Sequence, residues 1–137
     1  DRLAARTDTR VLAGEWVAAN IPAGARVAVI GTQLWSWGEP LLPSTLSTVR
    51  TKPDAAVLET EHVQYVVVHD HVLFSSHVDP EAFATLAPRL HLLAEFDPFT
   101  AERSAAVFED LDAYYIPMAG FSAVDRPGPR VRIYRFE

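Results

Sequence analysis

Short apolar runs alternate with polar, turn-forming segments along the chain, and their spacing predicts alternating helices and strands. The first helix is predicted to begin after Thr7 and Asp8, which are residue types that cap helix N-termini, and to end near Asn20 before Pro22. Its buried face is predicted to comprise Val11, Leu12, Trp16, Val17 and Ala19. Trp16 in particular is expected to be buried on the sheet.

Three further apolar runs are bounded by turn residues and are short enough to be strands. They cover residues 26–30 (RVAVI), 64–68 (QYVVV) and 91–96 (HLLAEF), and a short edge strand is placed near residues 46–49. Two short helices are predicted between them, over residues 54–61 and from Asp79 to about residue 86, where Asp-Pro-Glu provides a cap, a first-position proline and an acidic first turn.

The C-terminal segment, DAYYIPMAGFSAVDRPGPRVRIYRFE, combines an aromatic loop, a Pro-Gly-Pro corner and a final strand. In that strand Val131, Ile133, Tyr134 and Phe136 interleave with arginines, a pattern typical of one buried and one solvated face. Because no helix is predicted directly before it, we expect the strand to pair antiparallel, at or beside residues 91–96.

The order of elements indicates an α/β fold with a mostly parallel central sheet of four to five strands, an antiparallel C-terminal strand and helices packed on the sheet. At 137 residues the chain is expected to be one soluble domain, residues 1–137. Residue 1 is aspartate and the single methionine is Met118, so we expect a piece excised from a larger protein.

The charge and residue composition of the chain exclude several classes of function. A net charge of −6 without a run of lysines or arginines argues against a nucleic-acid partner. With no cysteine, disulfides, thiolate zinc sites and thiol nucleophiles are all excluded. No apolar stretch approaches the roughly 20 residues that span a bilayer.

The sequence contains few candidate catalytic, cofactor-binding or metal-binding motifs. The segment IGTQLWSWGEP after the first strand lacks a glycine-rich phosphate-binding motif, so we expect no nucleotide cofactor and no other cofactor. His69, His71 and His77 form a histidine-rich stretch after the second predicted strand, but zinc-site spacings are absent. We therefore expect solvated loop histidines and no metal, and no serine or carboxylate cluster carries a catalytic motif.

Two groups of aromatic residues are the remaining candidates for a binding site. Trp35 and Trp37 lie in the long segment after the first strand, and Tyr114, Tyr115 and Phe121 lie in the loop before the last one. Amphipathic rings of this kind favour either internal packing or docking on a sugar, a partner or a membrane-proximal surface. Both interpretations stay open, and the docking hypothesis assigns these five residues as a binding set.

Four stretches, DTRVLAGEWVAANIPAGARVAV, QYVVVHD, LLAEFDPF and YYIPMAGFSAVDRPGPRVRIYRF, together resemble a known arrangement. The chain resembles the C-terminal extracytoplasmic domain of bacterial multi-pass membrane glycosyltransferases that use polyprenyl-phosphate sugars, relatives of protein O-mannosyltransferases and aminoarabinose transferases. In that family, the resemblance implies, catalysis rests on acidic residues between the first transmembrane helices. That segment is not part of this chain, so no catalytic residue is carried over.

The resemblance implies a non-catalytic accessory domain on the periplasmic or cell-surface face of the cytoplasmic membrane. It would contact the transmembrane portion of its parent and aid recognition of the acceptor or the lipid-linked sugar. The parent would be the enzyme, and this chain alone would have no activity. Two alternatives remain: a free-standing carbohydrate- or peptide-binding module, and a small metal-dependent enzyme built on His69, His71 and His77.

Overall fold

The structure is a computed structural model that describes residues 5–31, 38–70, 78–99 and 124–137. Its elements are α1 (Thr9–Asn20), β1 (Arg26–Ile30), β2 (Ser47–Arg50), α2 (Ala55–Thr60), β3 (Tyr65–Asp70), α3 (Pro80–Leu86), a 3-10 turn (Ala87–Arg89), β4 (Leu90–Phe96) and β5 (Arg130–Phe136). This confirms the predicted α/β class. Within the described residues no helix has the length and apolar character needed to cross a membrane.

The five strands form one sheet in the order β2-β1-β3-β5-β4. Strand β1 pairs in parallel with both β2 and β3, whereas β5 pairs antiparallel with both β3 and β4. Four strands therefore run in one direction and the C-terminal strand alone runs against them, as predicted. The sequence did not indicate that β5 would separate β3 from β4.

Both faces of the sheet are covered, because successive residues of a strand point to opposite faces. On one face α1 packs over Val27, Val67, Val131 and Ile133. On the other face α2 and α3 pack over the alternate positions, which include Ile30, Val66, Val68 and Tyr134. The pattern of β5 predicted one buried and one solvated face, but both faces are covered, and Tyr134 is buried on the α3 side.

Helix α1 begins at the predicted cap, where the Asp8 carboxylate accepts a hydrogen bond of 2.8 Å from the backbone N–H of Arg10. Its predicted buried face is wrong at Ala19, which is exposed, whereas Trp16 is half-buried and packs against the core on this face of the sheet. The buried residues of α1 have small or medium side chains at helical spacing: Thr9, Ala13, Gly14 and Val17. Small side chains allow the helix backbone to approach the sheet.

The Pro-Gly-Pro corner anchors the start of α1. The Thr9 backbone N–H donates to the Pro127 carbonyl at 3.0 Å, and its hydroxyl donates to the Pro129 carbonyl at 2.6 Å. Gly128 lies between them with a φ of 104°, in the region that favours glycine. The corner therefore joins the first helix to the last strand.

Candidate functional site

The strand order places a topological switch point at the carboxyl ends of β1 and β3. From β1 the chain passes to β2 on one side, and then through α2 to β3 on the other side. In open α/β sheets, ligands bind in the crevice outside the strand ends where the chain reverses in this way. Gly31, Arg50 and the pair His69 and Asp70 lie at this edge, because the three parallel strands end there.

A groove lies beside this edge, on the face of the sheet that α1 covers. It has a volume of about 410 Å³, and residues 38–46 form one wall while side chains of β1 and β2 form the floor. Its lining consists of Val29, Glu39, Pro40, Leu41, Leu42, Pro43, Ser44, Leu46, Thr48 and Arg50. Small-molecule sites in proteins are typically concave, with volumes of roughly 300–1,000 Å³.

The wall of the groove is held in place by close backbone contacts. The Leu41 backbone N–H donates to the carbonyl of Arg10 at 3.4 Å, and the Gly24 N–H donates to the carbonyl of Thr45 at 2.8 Å. A Cβ on Gly14 would lie 2.3 Å from the Leu41 carbonyl oxygen. Glycine in the middle of α1 thus permits an approach that no other residue would allow.

Glu39 and Arg50, which both line the groove, form an ion pair with two hydrogen bonds. The Arg50 Nη2 atom donates to Glu39 Oε2 at 2.7 Å, and Arg50 Nε donates to Glu39 Oε1. The hydrogen bond to Glu39 raises the pKa of Arg50, and the charge of Glu39 acts in the same direction. Glu39 is 15% exposed and Arg50 is 68% exposed, so the carboxylate sits inside and the guanidinium reaches solvent.

His69 is the titratable side chain at this edge that the fold buries most deeply, at 1% exposure. Its ring lies against Gly31, where a Cβ would come within 2.0 Å of Nε2, and its Nδ1 atom is buried without a hydrogen-bond partner. Burial lowers the pKa of His69 from 6.5 to about 4. Glu39 opposes this shift, whereas Arg10 and Arg50 add to it.

The expectation of a solvated loop histidine is therefore wrong for His69. Strand β3 continues to Asp70, two residues beyond the predicted end, so His69 keeps the strand alternation and faces α1. The uninterrupted run YVVVHD was a signal that the strand extends into the histidine stretch. The ring is neutral near pH 7 and is closed off from the groove, so it is not placed to exchange protons with a ligand there.

Of the three candidate metal ligands, the structure describes only His69, since His71 and His77 lie outside the described residues. Over 5–31, 38–70, 78–99 and 124–137, no group of three or more histidines and carboxylates could hold a metal ion. The neighbouring Asp70 accepts a hydrogen bond of 3.2 Å from the Val78 backbone N–H. Its carboxylate thereby orders the chain that leads into α3.

The five aromatic residues of the docking hypothesis also lie outside the described residues: Trp35, Trp37, Tyr114, Tyr115 and Phe121. Leu41, which follows Trp37 by four positions in the sequence, lines the groove and is 71% exposed. Sequence reasoning missed the Glu39–Arg50 pair. Eleven positions separate the two residues, and no local pattern relates them.

In comparisons with known proteins, no family model, no curated protein and no solved structure matches the chain.

Proposed function

We propose that this chain is a non-catalytic accessory domain of a membrane glycosyltransferase, located on the extracytoplasmic face, that aids recognition of the acceptor or the lipid-linked sugar. The sequence motifs described above are the first support. Two of them, near Asp8 and near Pro127, are far apart in sequence yet are joined by the hydrogen bonds of Thr9. The two motifs therefore form one structural unit of the domain.

The observation that carries the proposal is the groove beside the carboxyl ends of β1 and β2. Its volume suits a small ligand or one unit of a larger one. Among the described residues that line it, the charged ones are Glu39 and Arg50, which bind each other, and the nearby imidazole of His69 is buried and neutral. Such an arrangement suits binding better than acid-base chemistry, because the Glu39 carboxylate is held in an ion pair and His69 is not among the lining residues.

The partner in this proposal is the transmembrane portion of the same protein. This contact would cover Leu41, a leucine that is 71% exposed beside the groove. The proposal assigns the aromatic anchors of that contact to Trp35, Trp37, Tyr114 and Tyr115.

The open reading frame that encodes the chain provides the first test. The proposal predicts several apolar segments of about 20 residues upstream of Asp1, and no glycosyl transfer by the purified 137-residue chain. In the full-length parent, replacing the four aromatic anchors by serine should lower transfer while the isolated chain keeps its circular dichroism spectrum. A reading frame without such segments, or turnover by the chain alone, would refute the proposal.

A further inference from the structure

The charged side chains that line the groove neutralise each other. Among the described residues that line it, the charged ones are Glu39 and Arg50, and their opposite charges are joined at two points. The other lining residues that bear polar side chains are Ser44 and Thr48. The groove therefore offers many hydrogen-bonding positions with a formal charge of zero.

This compensation disfavours ions as ligands. An anion approaching Arg50 finds that Glu39 already occupies the Nε and Nη2 edge of the guanidinium in a two-point contact and places a negative charge beside it. A cation approaching Glu39 finds both carboxylate oxygens already bonded to Arg50. Either ion would be attracted by one member of the pair and repelled by the other, so it gains little of the attraction that an uncompensated charge would supply.

A neutral ligand with several hydroxyl groups faces no such conflict. A guanidinium has five N–H donors and a carboxylate has about four acceptor positions, so the pair keeps both donors and acceptors after its two mutual bonds. The hydroxyls of Ser44 and Thr48 donate and accept as well. Hydroxyl groups of a sugar can also do both, which lets them bridge Arg50 and Glu39 without separating them.

The apolar part of the lining fits the same ligand. Pro40, Leu42 and Leu46 line the wall and Val29 lines the floor, so the C–H face of a sugar ring has surfaces to contact. We propose that the groove between residues 38–46 and β2 binds a neutral pyranose sugar, with the Glu39–Arg50 pair and Thr48 as its hydrogen-bonding groups. This deepens the proposed function and rests on it for the biological role, while the binding itself stands on the groove.

The test is a titration of the ¹⁵N-labelled 137-residue chain at constant ionic strength, followed by NMR. The probes are methyl α-D-glucopyranoside, methyl α-D-galactopyranoside and inorganic phosphate. We expect at least one of the two glycosides to shift the amide signals of Ser44 and Thr48 saturably in the millimolar range, and phosphate to bind about tenfold more weakly or not at all. No saturable shift with either glycoside, or phosphate binding as tight as the glycoside, would overturn the inference.

Substitution of Glu39 separates this inference from a merely structural role of the pair. Glu39→Gln keeps the shape of the side chain but removes the compensating charge, so affinity for the glycoside should fall and affinity for phosphate should rise, each by about tenfold. The matched control is Glu59→Gln, which breaks the exposed Arg89–Glu59 pair on the α2 side of the sheet and should change neither affinity.

If Glu39→Gln fails to fold by circular dichroism, Thr48→Val on the exposed edge strand β2 replaces it, and glycoside affinity should again fall. Unchanged affinities in the folded variant would contradict the inference. The outcome is independent of the proposed parent enzyme, because glycoside binding is measured on this chain and the transmembrane segments are read from the gene.

Discussion

Protonation of His69 should destabilise the fold at mildly acidic pH. The imidazole is 1% exposed, its Nδ1 atom has no hydrogen-bond partner, and Gly31 packs against its ring. A charged imidazolium at this position would lose its hydration without gaining an acceptor at Nδ1. The positive charges of Arg10 and Arg50 add to the cost, and Glu39 offsets only part of it.

The size and sign of the effect follow from the pKa of His69, which burial lowers from 6.5 to about 4. Between these values the unfolded chain binds a proton that the folded chain does not, so the free energy of unfolding falls as the pH falls. The contribution of neutral His69 is complete above about pH 6.5 and is lost by about pH 4. At about 1.4 kcal/mol per pKa unit, the loss amounts to about 3 kcal/mol.

Urea unfolding from neutral pH down to about pH 4 measures this loss directly. The control is His69→Gln, which cannot be protonated at this position but keeps every carboxylate that titrates in the same range. The stability of the native chain should fall relative to the variant by about 3 kcal/mol across that interval. If the two curves stay parallel, or if NMR shows the His69 ring titrating near its ordinary pKa, the reasoning fails.

Two glycine substitutions test the close contacts that position α1 and the groove wall. Gly128→Ala should cost about 2–4 kcal/mol, because it adds a clash 2.1 Å from Thr9 Oγ1 to the strain of a positive φ. Gly24→Ala is the control, because Gly24 has a φ of 82° but open space where a Cβ would lie. In thermal or urea unfolding this variant should lose only about 1–2 kcal/mol of stability. Equal losses in the two variants would contradict a clash at Gly128. Gly14→Ala should lower stability by about 1–3 kcal/mol, because the added Cβ would clash with the Leu41 carbonyl. This loss should outweigh the better helix propensity of alanine. A gain in stability would show that the groove wall can move away without cost.

The amino-acid sequence by itself determined most of the secondary structure, because the signals for it are local. Asp8, Asp54 and Asp79 were each expected to begin a helix, and each side chain accepts hydrogen bonds from backbone N–H groups of the first turn. The apolar runs became strands with bounds within two residues of those predicted. The α/β class and the reversed direction of the last strand also followed from the order of elements.

Only the tertiary structure decided which distant residues meet. The insertion of β5 between β3 and β4, the burial of His69 beneath α1 and the meeting of Glu39 with Arg50 all depend on packing between segments that are separate in sequence. A pattern of alternating residues shows that a strand has two faces but not which element covers each. The candidate site is made of such long-range contacts, so its residues could not be assigned from the sequence, whereas its helices and strands could.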